Sequence, residues 1–174
     1  MKATGVFMAM VLALAPLPAA AQAPESRPFA WDVARAVLID PTTYAPALIS
    51  YESIRQDWKT SQILFANGWV EENPRYTVSG SANDLPVSYE EGTRRIQGAA
   101  LHVLTYSVAN NVGAGIVERL LVARYPRRKT LIRTLSWTER VAFASLLTYR
   151  NSADHIRQAS TNRRLAREYG YTSP

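Results

Sequence analysis

Cysteine is absent from all 174 residues. Disulfides, thiol nucleophiles, Cys-ligated zinc and c-type haem attachment are therefore excluded. Histidine is scarce: only His102 and His155 occur. There is no His-Glu-x-x-His motif, and the Glu-x-x-His pairs of di-metal carboxylate bundles are missing. No Gly-x-Ser-x-Gly elbow supports Ser61, Ser107 or Ser145 as a nucleophile. Gly113-Ala114-Gly115 lacks both a preceding strand and the third glycine of a dinucleotide fingerprint. There is no internal repeat and no heptad pattern long enough to predict a coiled coil. These absences predict no metal and no cofactor, and they lean the reading away from an enzyme.

Acidic residues are also missing from the first 24 positions. Lys2 is followed by an apolar run from Val6 to Leu17, then Pro18 and the small residues Ala19, Ala20 and Ala21. The run is shorter than the roughly 20 residues a membrane span needs. Residues 1–21 therefore read as a cleavable signal peptide, with an uncleaved N-terminal anchor as the alternative. The expected location is the periplasm or exterior of a bacterial cell, with membrane association left open. Export removes nucleic acid as an expected partner.

Charge is uneven along the rest of the chain. Residues 22–118 carry 7 basic and 11 acidic residues, whereas 119–174 carry 12 basic and 3 acidic. The basic half includes Arg127, Arg128, Lys129, Arg163 and Arg164. These five are candidate contacts to an anionic membrane or envelope surface. The competing reading is that the two halves neutralise each other on folding.

The periodicity predicts an all-α protein, a single-domain bundle of four to six helices. Residues 22–29 form a polar lead-in, and the domain spans 30–170. Trp31, Ala34, Val37 and Leu38 share one side of a short helix that Asp40-Pro41 stops. Thr42 or Thr43 then caps a helix reaching about Ala66, with Leu48, Ile49, Tyr51, Ile54, Trp58, Ile63, Leu64 and Phe65 as its apolar positions. Asn67-Gly68 ends it. Turn chemistry marks residues 69–88 as one long polar loop, in which Arg75–Val78 has no evident strand partner. Glu90 and Glu91 open the next helix. Its stretch Ile96–Val117 runs 22 residues without a formal charge. That is long enough to span a membrane, but Gln97, His102, Asn110 and Asn111 favour a buried central helix. After Pro126 a last helical region reaches about Glu168, with Leu131, Leu135, Val141, Phe143, Ala144, Leu146, Leu147 and Tyr149 as its expected core. A break is expected near Arg150-Asn151-Ser152.

Two polar stripes stand out. His102, Tyr106 and Asn110 lie at i, i+4, i+8, and His155, Gln158 and Asn162 lie at i, i+3, i+7. If they faced each other, with Glu72 and Asn73 closing the edge, they would line a polar pocket. The alternative is a satisfied hydrogen-bond network in the core. Asp57 is expected to form a helix-surface ion pair.

Asp57-Trp58-Lys59-Thr60-Ser61 followed by Gly68-Trp69-Val70-Glu71-Glu72-Asn73-Pro74 resembles an Asp-x-x-[Ser/Thr]…Gly-x-x-Glu-x-Asn-Pro pattern. That pattern belongs to a group of small bacterial multi-helix membrane proteins without an assigned activity. The resemblance covers about 20 residues. It implies a helical hairpin held at a turn by Glu72 and Asn73. This chain differs by its higher charge and by the insertion at 75–88.

Overall fold

The computed structural model describes residues 29–171. The expected signal peptide and all of the lead-in but its last residue lie outside the described residues. Four helices follow: α1 (Phe29–Ile39), α2 (Pro41–Phe65), α3 (Tyr89–Arg124) and α4 (Lys129–Glu168). The protein is an all-α bundle.

Local chemistry sets the helix ends. Asp40, not Thr42 or Thr43, caps α2: its Oδ1 accepts from the Thr42 amide at 2.9 Å, and Pro41 takes the first helical position. The Thr43 hydroxyl instead donates to the Val37 carbonyl at 2.8 Å and ties α1 to α2. Gly68, at φ +86°, turns the chain out of α2 in the left-handed region. The Ser88 hydroxyl accepts from the Glu91 amide and caps α3. Pro126 follows α3, and a 3-10 turn at Pro126–Arg128 reverses the chain into α4.

Cross-helix contacts fix the topology. Asn111 of α3 donates to the Thr42 and Thr43 hydroxyls at 2.9 and 2.8 Å. Arg140 of α4 lies 3.0 Å from Asp40 and 3.3 Å from Glu118 of α3. Ser152 donates to Ser50 at 3.4 Å, and Asn162 donates to Ser61 at 2.9 Å. So α4 runs parallel to α2, and α3 runs antiparallel to both. α1 packs on α3, where the Arg119 guanidinium donates to the Asp32 carbonyl at 2.6 Å.

Four expectations change. α4 is continuous through 150–152, because Ser152 is buried against α2 and caps no new helix. The segment 75–78 does find partners: isolated antiparallel bridges join Glu71 to Asp84 and Thr77 to Pro86, with a 3-10 turn at Pro74–Tyr76 between them. The uncharged run in α3 is amphipathic, not wholly buried. Ile96, Val103, Ser107, Asn111, Ala114 and Gly115 face inward, while Leu101, Tyr106, Val108 and Ile116 are exposed. No described helix is long and apolar enough to cross a membrane. Finally, several expected core residues point outward: Trp31, Ala34 and Leu38 in α1, Leu48 and Ile49 in α2, and Leu131, Leu135, Leu146 and Tyr149 in α4.

The apolar core sits at the loop end of the bundle. Ile54, Trp58, Tyr76, Val87 and Ile96 form it, with Tyr51, Phe65 and Ala99 packed around. The Trp58 ring lies 5.5 Å from Tyr76 and 5.7 Å from Phe65, and its indole donates to the Tyr89 carbonyl. Gly92 is required here, since a Cβ would come within 2.3 Å of the Trp58 ring.

Candidate functional site

α2 carries Asp57, Thr60 and Ser61 on one face. α4 presents His155, Gln158 and Asn162 to that face. His155 Nδ1 lies 2.8 Å from Asp57 Oδ2. The Asn162 amide reaches Asp57 Oδ1 at 3.1 Å, Thr60 at 3.3 Å and Ser61 at 2.9 Å. Gln158 donates to Asn162 Oδ1 at 3.0 Å. The Thr60 and Ser61 hydroxyls also donate to the Asp57 carbonyl. Asn162 is buried with its side-chain partners in place, so the group is a closed hydrogen-bond network.

The loop adds one wall. Glu71, Asn73 and Tyr76 join Ile54, Asp57, Trp58, Ser61 and His155 around a cavity of about 50 Å³. Glu71 Oε1 accepts from the Asn73 amide at 2.7 Å, and Asn73 in turn caps the 3-10 turn through the Arg75 amide. Burial pushes the Glu71 carboxyl above its usual range; the Asn73 amide opposes the shift, and repulsion from Asp57 and Glu72 reinforces it. Burial also raises the Tyr76 phenol.

A carboxylate only accepts, so Asp57 orients the imidazole by accepting a hydrogen bond from its Nδ1–H. The Ser61 hydroxyl is engaged by both Asp57 and Asn162. A volume of about 50 Å³ is on the scale of one or two water molecules. Among the described residues no three His, Asp or Glu side chains come together to hold a metal ion. The arrangement ties α2, α4 and the loop together.

The two polar stripes do not meet. His102 and Tyr106 are exposed on α3, and neither lines the cavity. Asn110 goes to the seam with α4 instead, where burial pushes the Glu139 carboxyl above its usual range. Glu72 is exposed, and the carboxylate in the cavity is its neighbour Glu71. Glu71 also occupies the glutamate position of the Gly-x-x-Glu-x-Asn-Pro pattern, the one signal that singled it out. Asp57 is not a surface ion-pair residue but the centre of the network.

The five basic residues are all exposed, but they form two groups. Arg127, Arg128 and Lys129 stand at the start of α4. Arg163 and Arg164 lie roughly 50 Å further along its axis. Arg163 donates to Gln56, and Arg164 sits 4.0 Å from Glu168. Between the two groups runs an apolar stripe: Leu131, Leu135, Thr138, Ala142, Leu146, Tyr149, Ala153 and Ile156. Steps of three or four residues keep these eight on one side of the helix. The five large ones are 55% to 68% exposed. Arg128, Arg150, Arg157 and Arg164 lie along one edge of the stripe, where Arg157 pairs with Asp154, and Arg127 and Arg163 stand at the two ends of the other. The inward face of α4 is built instead from small or polar side chains, Ala144, Ser152, Ala159, Asn162 and Ala166.

No protein family, no curated protein and no solved structure matches the chain.

Proposed function

We propose that this protein works by binding, without catalysis, and that it lies along an anionic, lipid-like surface of the cell envelope. The observation that carries this reading is the arginine-flanked apolar stripe of α4. A helix that offers leucine, tyrosine and isoleucine with arginines along one edge and at both ends suits an interface where acyl chains lie beneath anionic headgroups. The rigid bundle behind α4 holds the stripe in shape. The Asp57–His155–Asn162 network then serves as the clamp that keeps α4 seated on α2.

Charge selects this occupant over a second copy of the same helix. Two such stripes face to face would bring arginines of both copies to the same seam, and like charges across an interface are unfavourable. The wider basic half of the chain adds to the attraction.

Sedimentation of the purified protein with vesicles tests the reading. Vesicles containing phosphatidylglycerol are expected to retain it at low salt, and phosphatidylcholine vesicles are not. Binding should weaken as salt rises. Leu146→Asp places a charge mid-stripe and should reduce retention at least about ten-fold. Equal partition onto both vesicle types at low salt would overturn the proposal.

A further inference from the structure

At the end of the bundle away from the loop, α1, α3 and α4 border a second and larger cleft, open to solvent, of about 450 Å³. That volume lies within the usual range for small-molecule sites. Its apolar lining is Ala36 and Ile39 from α1 with Val122 and Ala123 from α3, and Ile39 stands at the exposed edge. Its rim is charged, with Asp32, Arg35, Glu118, Arg119 and Arg133.

The rim charges have different commitments. Arg119 donates to the Gly115 carbonyl at 3.1 Å and to the Asp32 carbonyl at 2.6 Å, so it shapes the wall and binds α1 to α3. Glu118 is held 3.3 Å from Arg140, which also faces Asp40. Arg133 reaches Glu118 only at 3.8 Å and keeps 57% of its side chain exposed. Arg35 makes no ion pair among the described residues. Two cations are thus available at the mouth of an apolar cleft, and the more deeply placed acid, Glu118, is already neutralised by Arg140.

We infer that this cleft binds a single-chain anionic amphiphile, of the class of a medium-chain fatty acid. The headgroup pairs with Arg35 and Arg133, and the tail lies over Ile39 and Val122. Asp32 on the rim disfavours a polyanion, which points to a singly charged head. The site is independent of the surface reading. Arg133 lies about half a turn round α4 from the Leu131–Ile156 stripe, and no residue of the stripe lines the cleft.

Calorimetric titration of the purified protein with decanoate, kept below its micelle concentration, tests the inference. Decanol and inorganic phosphate serve as comparison ligands. The expected result is saturable binding of one decanoate, at least about ten-fold tighter than decanol or phosphate. Arg133→Gln and Arg35→Gln should each weaken it several-fold, and Ile39→Glu should abolish it. All three positions are exposed, so circular dichroism should show the variants folded. Leu146→Asp should leave decanoate binding unchanged while impairing vesicle retention, which separates the failure of this inference from failure of the surface reading. Equal binding of decanoate and decanol, or of decanoate and phosphate, would overturn it, as would unchanged affinity in both arginine variants.

Discussion

Both ends of this bundle carry polar contacts, but among the described residues only the loop end sets them beside an apolar cluster. At the loop end, Ile54, Trp58, Tyr76, Val87 and Ile96 exclude water around one indole ring. Further along, the same helices meet through Thr43, Ser50, Asn111 and Ser152, all buried and hydrogen-bonded. There the joint is made of hydrogen bonds and of Arg140, whose guanidinium links Asp40 at the α1–α2 corner to Glu118 on α3. Apolar burial is non-directional and cumulative, whereas a hydrogen bond contributes little net stability but costs much when broken. One end is thus expected to supply stability and the other to supply register. The small inward residues of the polar seam also let the helices approach closely, which leaves leucine and tyrosine to the outside of α4.

Removing the centre of the apolar end should have the largest effect. Trp58→Ala deletes the ring that contacts Tyr76 and Phe65, and opens a cavity beneath the loop. The expected loss is about 3–5 kcal/mol, read as a lower midpoint in urea unfolding. A loss below about 1 kcal/mol would show that the loop end is not the main core.

The polar end should respond less, and differently. Arg140→Met keeps most of the volume but leaves Asp40 and Glu118 without their shared cation. Both acids are mostly buried, at 14% and 17% exposure, but Glu118 keeps Arg133 at 3.8 Å, so the cost falls below the roughly 3–5 kcal/mol of a fully buried pair, at about 2 kcal/mol. Hydrogen exchange should rise across Phe29–Ile39 and the first turns of α2, while Trp58 and its neighbours keep their protection. A uniform rise across the whole chain would erase the distinction between the ends.

Sequence pattern makes the helices legible because their stop signals are local. Gly68 adopts the left-handed turn its position predicts, and Ser88 caps α3 just ahead of Glu90 and Glu91. Ile54, Trp58 and Leu64 are buried as their spacing implies. What spacing does not carry is which side of a stripe turns inward. His102, Tyr106 and Asn110 are as regular as His155, Gln158 and Asn162, yet His102 and Tyr106 face solvent, because α2 runs beside α4 with Asp57 level with His155. Asp57 sits between Arg55 and Lys59, so its own surroundings resemble a solvated face. Its partner Asn162 is 105 residues away. The same limit explains Leu131, Leu135, Leu146 and Tyr149. Periodicity finds an apolar face on α4, but the interface with α2 and α3 selects the small face instead.

The smallest expected effect concerns the edge where the loop meets the polar network. Glu71 has a folded-state carboxyl raised above its usual value, chiefly by burial and then by Asp57 and Glu72. The folded protein therefore holds that proton more tightly than the unfolded chain does. Its contribution favours folding at pH below the ordinary glutamate range and is lost as pH rises through the raised value. Above that value the ionised carboxylate is a modest liability. Glu71→Gln keeps an oxygen to accept from the Asn73 amide and removes the charge. It should raise the melting temperature at pH 7 by at most about 2 °C and change little at pH 4. A fall at pH 7 would mean that the ionised carboxylate itself holds the loop, and the loop end would then owe part of its stability to the polar forces that dominate the other.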